Sequence, residues 1–287
     1  MTPNELYAER RAEAIERIRT HAPARLQDTL INFLRPAIAL SATRVNDSEI
    51  TVGASKFGGS PDVPAHFEWP TWNDTPLGFL AQINLEEVAP FDLENKLPKA
   101  GMLWFFVDFE DMPEGDHPDQ KMRWRVSYFR PSELARRMRP EAETDENTES
   151  IFDFKIEPAL IQGDLELIFD ISSSDDNWLN NVEDMDYEIY ESVAPTLELC
   201  KRSPPIHRLL GRHEEAEEEI KVDCIRGSGG NEEDWILLLQ IQTGGNYGGM
   251  PVPGQDYLSF SIKSQDLMAT DFSNVWFSRW PLPNFID

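Results

Sequence analysis

Two cysteines, Cys200 and Cys224, are all that 287 residues contain. They stand 24 apart with no CxxC pair. A disulfide framework or a thiolate zinc site is not expected; two free or buried thiols in a reducing, cytoplasmic setting are. Basic residues are half as common as acidic ones, 26 against 52, for a net charge of −26. Such a surface repels a polyanion, so nucleic acid is not an expected partner, whereas a basic protein or peptide is. No uninterrupted apolar run approaches the roughly 18 residues of a membrane span. Residues 1–20 mix Glu5, Glu9, Glu13 and Glu16 with arginines and carry no apolar h-region, so no targeting signal and no membrane partner is expected.

Sequence motifs for chemistry are missing too. Gly53-Ala54-Ser55-Lys56-Phe57-Gly58 has the wrong spacing for a nucleophile elbow, and neither a P-loop nor a GxGxxG turn follows a strand. Asp175-Asp176-Asn177 and Asp184-x-Asp186 lack the twelve-residue calcium-loop pattern. His213-Glu214-Glu215-Ala216-Glu217 puts a glutamate where a zinc-protease helix needs its second histidine. No catalytic residue, cofactor or metal ligand is singled out, although 52 carboxylates leave acid–base chemistry open.

What the chain does have is core material and a repeat. The hydrophobic fraction is 40%, with 16 Phe and 8 Trp. Lys56-Phe57-Gly58-Gly59, Phe79-Leu80-Ala81-Gln82-Ile83-Asn84 and Gly101-Met102-Leu103-Trp104-Phe105-Phe106 are echoed in order by three later stretches. These are His207-Arg208-Leu209-Leu210-Gly211, Leu237-Leu238-Leu239-Gln240-Ile241-Gln242 and Gly254-Gln255-Asp256-Tyr257-Leu258-Ser259-Phe260. Glycine turn, strand carrying Gln-Ile, glycine turn and apolar strand recur. The expected fold is α+β, mainly antiparallel sheet, internally duplicated about a pseudo-twofold axis, with N-terminal helices packed on the sheet. Residues 1–36 would form those helices, 37–140 the first half, 141–150 an acidic loop and 151–287 the second half.

Local patterns fill in this frame. Thr2-Pro3-Asn4-Glu5 predicts a capped helix start, and Leu26, Leu30, Phe33 and Leu34 a second helix ended by Pro36. Ile50, Val52 and Ala54 alternate with polar neighbours. Strands are predicted at 78–85, 102–109, 123–129, 235–241 and 257–262. Trp178, Val182, Met185 and Ile189 predict a surface helix over 174–194, and 214–219 predicts a solvated acidic loop or helix.

Several pieces together resemble the YwqG-like family, also called the DUF1963 family. They are Ser55-Lys56-Phe57-Gly58-Gly59-Ser60-Pro61-x-x-Pro64, Trp69-Pro70, Phe79 to Leu85, Leu97-Pro98-x-x-Gly101-x-Leu103-x-Phe105-Phe106, His207 to Gly211, Trp235-x-Leu237 to Ile241, and Asp271-Phe272-Ser273. The resemblance spans about residues 50–280. It implies a bacterial protein with the family's fold and brings no established activity or catalytic residues. The chain departs from the pattern at Arg212-His213-Glu214-Glu215, where a Gly- or aromatic-rich turn is expected.

Four sets of residues are candidates for binding. Residues two apart share a strand face, which groups Gln82 with Asn84 and Gln240 with Gln242. These four amides could recognise a peptide, sugar or amide, or could satisfy the backbone of their own glycine turns. Trp69 and Trp72, in a loop punctuated by Pro64, Pro70 and Pro76, could stack on a sugar or partner, or plug the loop onto the core. Arg123 and Arg125, within a basic cluster reaching Arg139, could bind an anion or pair with the acidic run Asp108, Glu110, Asp111, Glu114, Asp116 and Asp119. His207 could join an amide-lined groove. The expected function is binding a protein or peptide partner, with a basic partner neutralised by charge. The alternatives are a hydrolase or transferase acting on a small amide or sugar between the halves, and a carbohydrate-binding module.

Overall fold

The computed structural model describes residues 1–130, 132–140, 156–170, 200, 203–214, 216–244 and 256–281. The acidic loop at 141–150 and the helix expected over 174–194 lie outside them.

Helix α1 (Pro3–His21) starts as its sequence predicts, with Thr2 and Glu5 forming a reciprocal capping box and Pro3 at the first position. Helix α2 (Ala24–Asn32) stops earlier than expected. Phe33 is its C-cap, and Leu34 already opens strand β1 (Leu34–Arg44), which carries Pro36 inside it. The segment after β1 is not the alternating strand that Ile50, Val52 and Ala54 suggest: a short turn of 3₁₀ helix precedes Ile50, and Val52 is exposed.

Four short strands follow the first glycine turn or lie near it: β2 (Lys56–Phe57), β3 (Asp62–Val63), β4 (Thr71–Trp72) and β5 (Thr75–Pro76). Then come β6 (Gly78–Asn84), the single turn α3 (Leu85–Val88), β7 (Met102–Val107), β8 (Trp124–Phe129) and β9 (Ala135–Arg136). Strand β7 is buried along its whole length, as its unbroken apolar run requires. The later elements are β10 (Ala159–Phe169), β11 (His207–Leu209), α4 (Glu217–Ser228), β12 (Trp235–Gln242), β13 (Asp256–Lys263), α5 (Ser264–Met268) and β14 (Trp276–Pro281).

Ten strands form one antiparallel sheet in the order β14-β13-β12-β11-β1-β10-β2-β6-β7-β8. Its centre is the long β1–β10 pair, from Leu34 opposite Phe169 to Arg44 opposite Ala159, with Ala39 facing Asp164 midway. On either side stand a short strand, a Gln-bearing strand and two more.

The wings curl so that rings from opposite ends meet. Phe105 lies 4.9 Å from Phe260 between ring centroids, and Trp124 5.0 Å from Trp276. The Trp124 indole donates to the Val275 carbonyl and the Trp276 indole to the Gly115 carbonyl, both at under 3 Å. Buried indoles need such a partner. The enclosed core runs from Ile38 and Leu40 through Leu103, Phe105, Leu239 and Phe277. A second apolar cluster joins Ala14, Ile18 and Leu30 of the helices to Leu34, Leu167 and Phe169 of β1 and β10. A third, on the other face of β6 and β7, seats Phe67 and Leu77 against Trp104 and Phe106.

Candidate functional site

The two glycine turns place a cation, an acid and a glutamine in the same relation. In the first, β2 presents Lys56 and the chain turns through Gly58 and Gly59, both at positive φ. Six residues after Lys56, the Asp62 amide donates to Gln82 Oε1 at 2.8 Å. In the second, β11 presents Arg208, and Leu210 and Gly211 take the positive-φ positions. Six residues after Arg208, the Glu214 amide donates to Gln240 Oε1 at 2.8 Å. Gly58 donates to the Leu80 carbonyl and Leu210 to that of Leu238, each two residues before the glutamine. Lys56 pairs across strands with Gln82, and Arg208 with Gln240.

Both cations are buried and paired. Lys56 Nζ reaches Asp47 Oδ1 at 2.8 Å and the Ser60 carbonyl at 2.5 Å. Burial pulls its ammonium below the ordinary lysine value, and Asp47 and Asp62 offset part of that. Burial pushes the Asp62 carboxyl the other way, but bonds from Arg136, the Gly53 amide and Gln82 outweigh it and hold the pKa below the ordinary range. Arg208 forks onto Glu166 at 2.9 and 2.8 Å and reaches Glu214 at 3.1 Å. The acidic run is thus not wholly solvated: Glu214 serves Arg208, and Glu217 holds Lys221 at 2.9 Å.

Beside the second turn, fully buried His213 places Nε2 2.9 Å from Ser261 Oγ. Burial drives its pKa down to about 4, so the ring is neutral at pH 7. Burial likewise lifts the Cys224 thiol, next to Ser261, to about 12. Cys200 and Cys224 are both free.

The structure does not gather the expected binding residues into one groove. Gln82 is completely buried, and its Nε2 donates to the Ala54 carbonyl and Asp62 Oδ2. Asn84 caps α3 by accepting from Glu86 and donates to the Gly53 carbonyl. Gln242 accepts from Ile206, and His207 Nδ1 accepts from the Gln242 amide. Trp69 donates to the Leu77 carbonyl and packs edge-on against Phe106. Arg123 is engaged by Asp108 and Asp111, while Arg125 is exposed.

Trp72 differs from these. Asn73 and Asp74 both adopt positive φ, the combination that closes a two-residue hairpin between β4 and β5. That hairpin holds the half-buried Trp72 over the segment following β7. There the Asp108 carboxylate accepts the Glu110 and Asp111 amides, and Arg123, just before β8, fastens it at 2.8 Å. Between them lies a pocket of about 220 Å³ lined by Trp72, Thr75, Asp108, Glu110, Asp111 and Arg123. Three carboxylates line it beside the Arg123 guanidinium, and Arg139, outside the lining, reaches Glu110 at 3.3 Å, so three carboxylates meet two guanidinium groups. Asp111 is the most open, with its side chain 86% exposed. An aromatic face beside surplus carboxylate suits a cation. Sequence reading finds Trp72 and the acidic run separately, but nothing local to either says that folding brings them together.

Among the described residues no group of histidine, cysteine or carboxylate side chains could hold a metal ion, and no helix is long and apolar enough to cross a membrane. Fold and pocket together define an α+β protein built on one large antiparallel sheet. A family model described as a domain of unknown function, DUF1963, matches residues 55–280, and the chain belongs to that family. No curated protein matches it.

Proposed function

We propose that this protein works by binding, and that its partner is a basic protein or peptide. The observation that carries this reading is the Trp72 pocket, where an indole and three carboxylates meet on a chain of net charge −26. At about 220 Å³ it is smaller than the roughly 300–1,000 Å³ of small-molecule sites, and fits a single lysine or arginine side chain. The surrounding negative charge would speed encounter with a basic surface, and the pocket would set its register. The groove needed by a hydrolase or transferase acting on an amide or sugar has less support, because Gln82 lies within its own turn's hydrogen bonds and Gln240 is equally buried.

We read the body as two similar halves, 37–140 and 151–287, behind a helical segment at 1–36 that packs on the central strands. The common strand order outward from β1 and β10, the two matching turns and the contact of Phe105 with Phe260 support an internal duplication about a near-twofold axis. The YwqG-like name, a bacterial source and a cytoplasmic location belong to the same proposal.

Calorimetric titration with a peptide rich in lysine and arginine tests the binding reading. The expected result is saturable binding that weakens as salt is raised and falls about tenfold in Trp72→Ala and in the Glu110→Gln/Asp111→Asn double variant. Affinity indifferent to salt and to both variants would refute it.

A further inference from the structure

Two guanidinium groups reach the carboxylates of the Trp72 pocket, and they are held differently. Arg123 is built in. Its Nε and Nη2 donate to Asp108 at 3.1 and 2.8 Å, and both side chains are largely buried, at 14% and 12% exposure. Asp108 also accepts the Glu110 and Asp111 amides, so Arg123 leaves only if that whole turn comes apart.

Arg139 arrives from outside, three residues beyond β9. Its Nε and Nη2 both donate to the Pro76 carbonyl, with Nε at 3.0 Å. Nη2 also meets Glu110 Oε1 at 3.3 Å. Pro76 and Glu110 line the pocket, so a guanidinium of this chain already sits on two of its acceptors. The pair stands open to water, with the Arg139 side chain 33% and that of Glu110 47% exposed. An ion pair so exposed is screened and contributes little, so it exchanges readily for an equivalent one.

The strap that carries Arg139 is fastened without it. Arg136 pairs with Asp62 across β3 and β9 and forks onto its carboxylate at 2.8 and 3.3 Å. The Arg137 amide donates to the Pro61 carbonyl and its guanidinium to that of Phe67, both at 2.9 Å. Arg139 can therefore swing away while the chain before it stays in place. Its withdrawal leaves the Pro76 carbonyl and the Glu110 carboxylate together on a pocket walled by Trp72. A planar guanidinium meets both acceptors and stacks on an indole, whereas a lysine ammonium is a point charge without that fork.

We propose that Arg139 is the chain's own occupant of these acceptors, and that the group displacing it is an arginine side chain of the partner. This rests on the reading of the Trp72 pocket as the binding site, and adds what enters the pocket and what holds it back. With Arg139 docked about nine-tenths of the time, only about a tenth of the molecules present every acceptor, and apparent affinity is about tenfold below that of the open pocket.

Calorimetry on the full chain compares the parent, Arg139→Gln and Arg125→Gln against two peptides of equal length and charge, one of arginine and glycine, the other of lysine and glycine. Arg125 is exposed on β8 and outside the pocket lining, so its variant removes the same charge without freeing the acceptors. Arg139→Gln is expected to bind the arginine peptide about tenfold more tightly than the parent, and Arg125→Gln no more than about twofold. The lysine peptide should gain less than the arginine peptide from Arg139→Gln. If Arg139→Gln binds no more tightly than Arg125→Gln, or both peptides gain equally, the inference is overturned and the Trp72 site still stands. If none of the three chains binds either peptide, the site itself is refuted and Arg139 guards nothing.

Discussion

Gln82 and Gln240 occupy matching places and carry different loads. Strand alternation is enough to put each on its face, but its partners belong to a turn many residues earlier, which no local pattern reveals. Replacing Gln82 by leucine leaves the Asp62 amide and the Ala54 carbonyl unpaired and takes one of several donors from Asp62 Oδ2, a loss of about 2–4 kcal/mol. Gln240→Leu strands only the Glu214 amide and should cost about 1–2 kcal/mol. Urea denaturation midpoints measure both, and equal losses would contradict the difference between the turns.

His213 gives a pH dependence at the same scale. Glu217, Lys221, Arg212 and Arg208 surround it, and burial dominates. Its folded pKa of about 4 lies below the unfolded value of 6.5, so the unfolded chain binds the proton more tightly. The stabilisation from keeping this ring neutral is complete above pH 6.5 and lost as pH falls toward 4, to an extent of roughly 3 kcal/mol. Stability profiles of the parent and His213→Gln should therefore converge on acidification over that range; parallel profiles would exclude His213 as the titrating group.

Among the elements, those bounded by strong signals are the ones legible in sequence. The capping box at Thr2 and the apolar runs of β6, β7, β12 and β13 stand where they were expected. Of the longer strands, β1, β10 and β14 are the ones missed, and the strands of two or three residues carry no signal of their own. Pro36 reads as a helix stop, yet β11 reaches only Ile38 to Leu40, so at Pro36 the strand has a partner on one side only and the missing N–H is tolerated. In β10, Gly163, Asp164 and Glu166 interrupt the apolar pattern, and Glu166 is buried only because Arg208 meets it across β1.

The turns make an element-scale prediction. Gly58 and Leu210 share the same left-handed backbone, but a Cβ at Gly58 would lie 2.4 Å from the Ile156 carbonyl oxygen. Gly58→Ala should cost more than about 2 kcal/mol through this clash and the φ penalty. Leu210→Gly relieves its backbone while losing a buried side chain, for a net cost of about 1 kcal/mol. Denaturation of the two variants checks the order; a neutral Gly58→Ala would mean that the turn relaxes away from Ile156.

At the scale of the whole molecule, the apolar runs of β6, β7, β12 and β13 are legible in the sequence, whereas the centre of the sheet and the Trp72 pocket come from long-range pairing alone. The charge of −26 is visible in composition, and under the proposed reading the Trp72 pocket is where it would act. The most direct measurement follows the Trp72 indole N–H by NMR while a peptide rich in lysine and arginine is titrated in. At about 0.1 M salt, where screening extends over about 10 Å, the Trp72 signal should shift to saturation; at about 1 M, where it shortens to about 3 Å, the shift should disappear. A Trp72 resonance that stays in place at low salt while the peptide binds elsewhere would contradict the account.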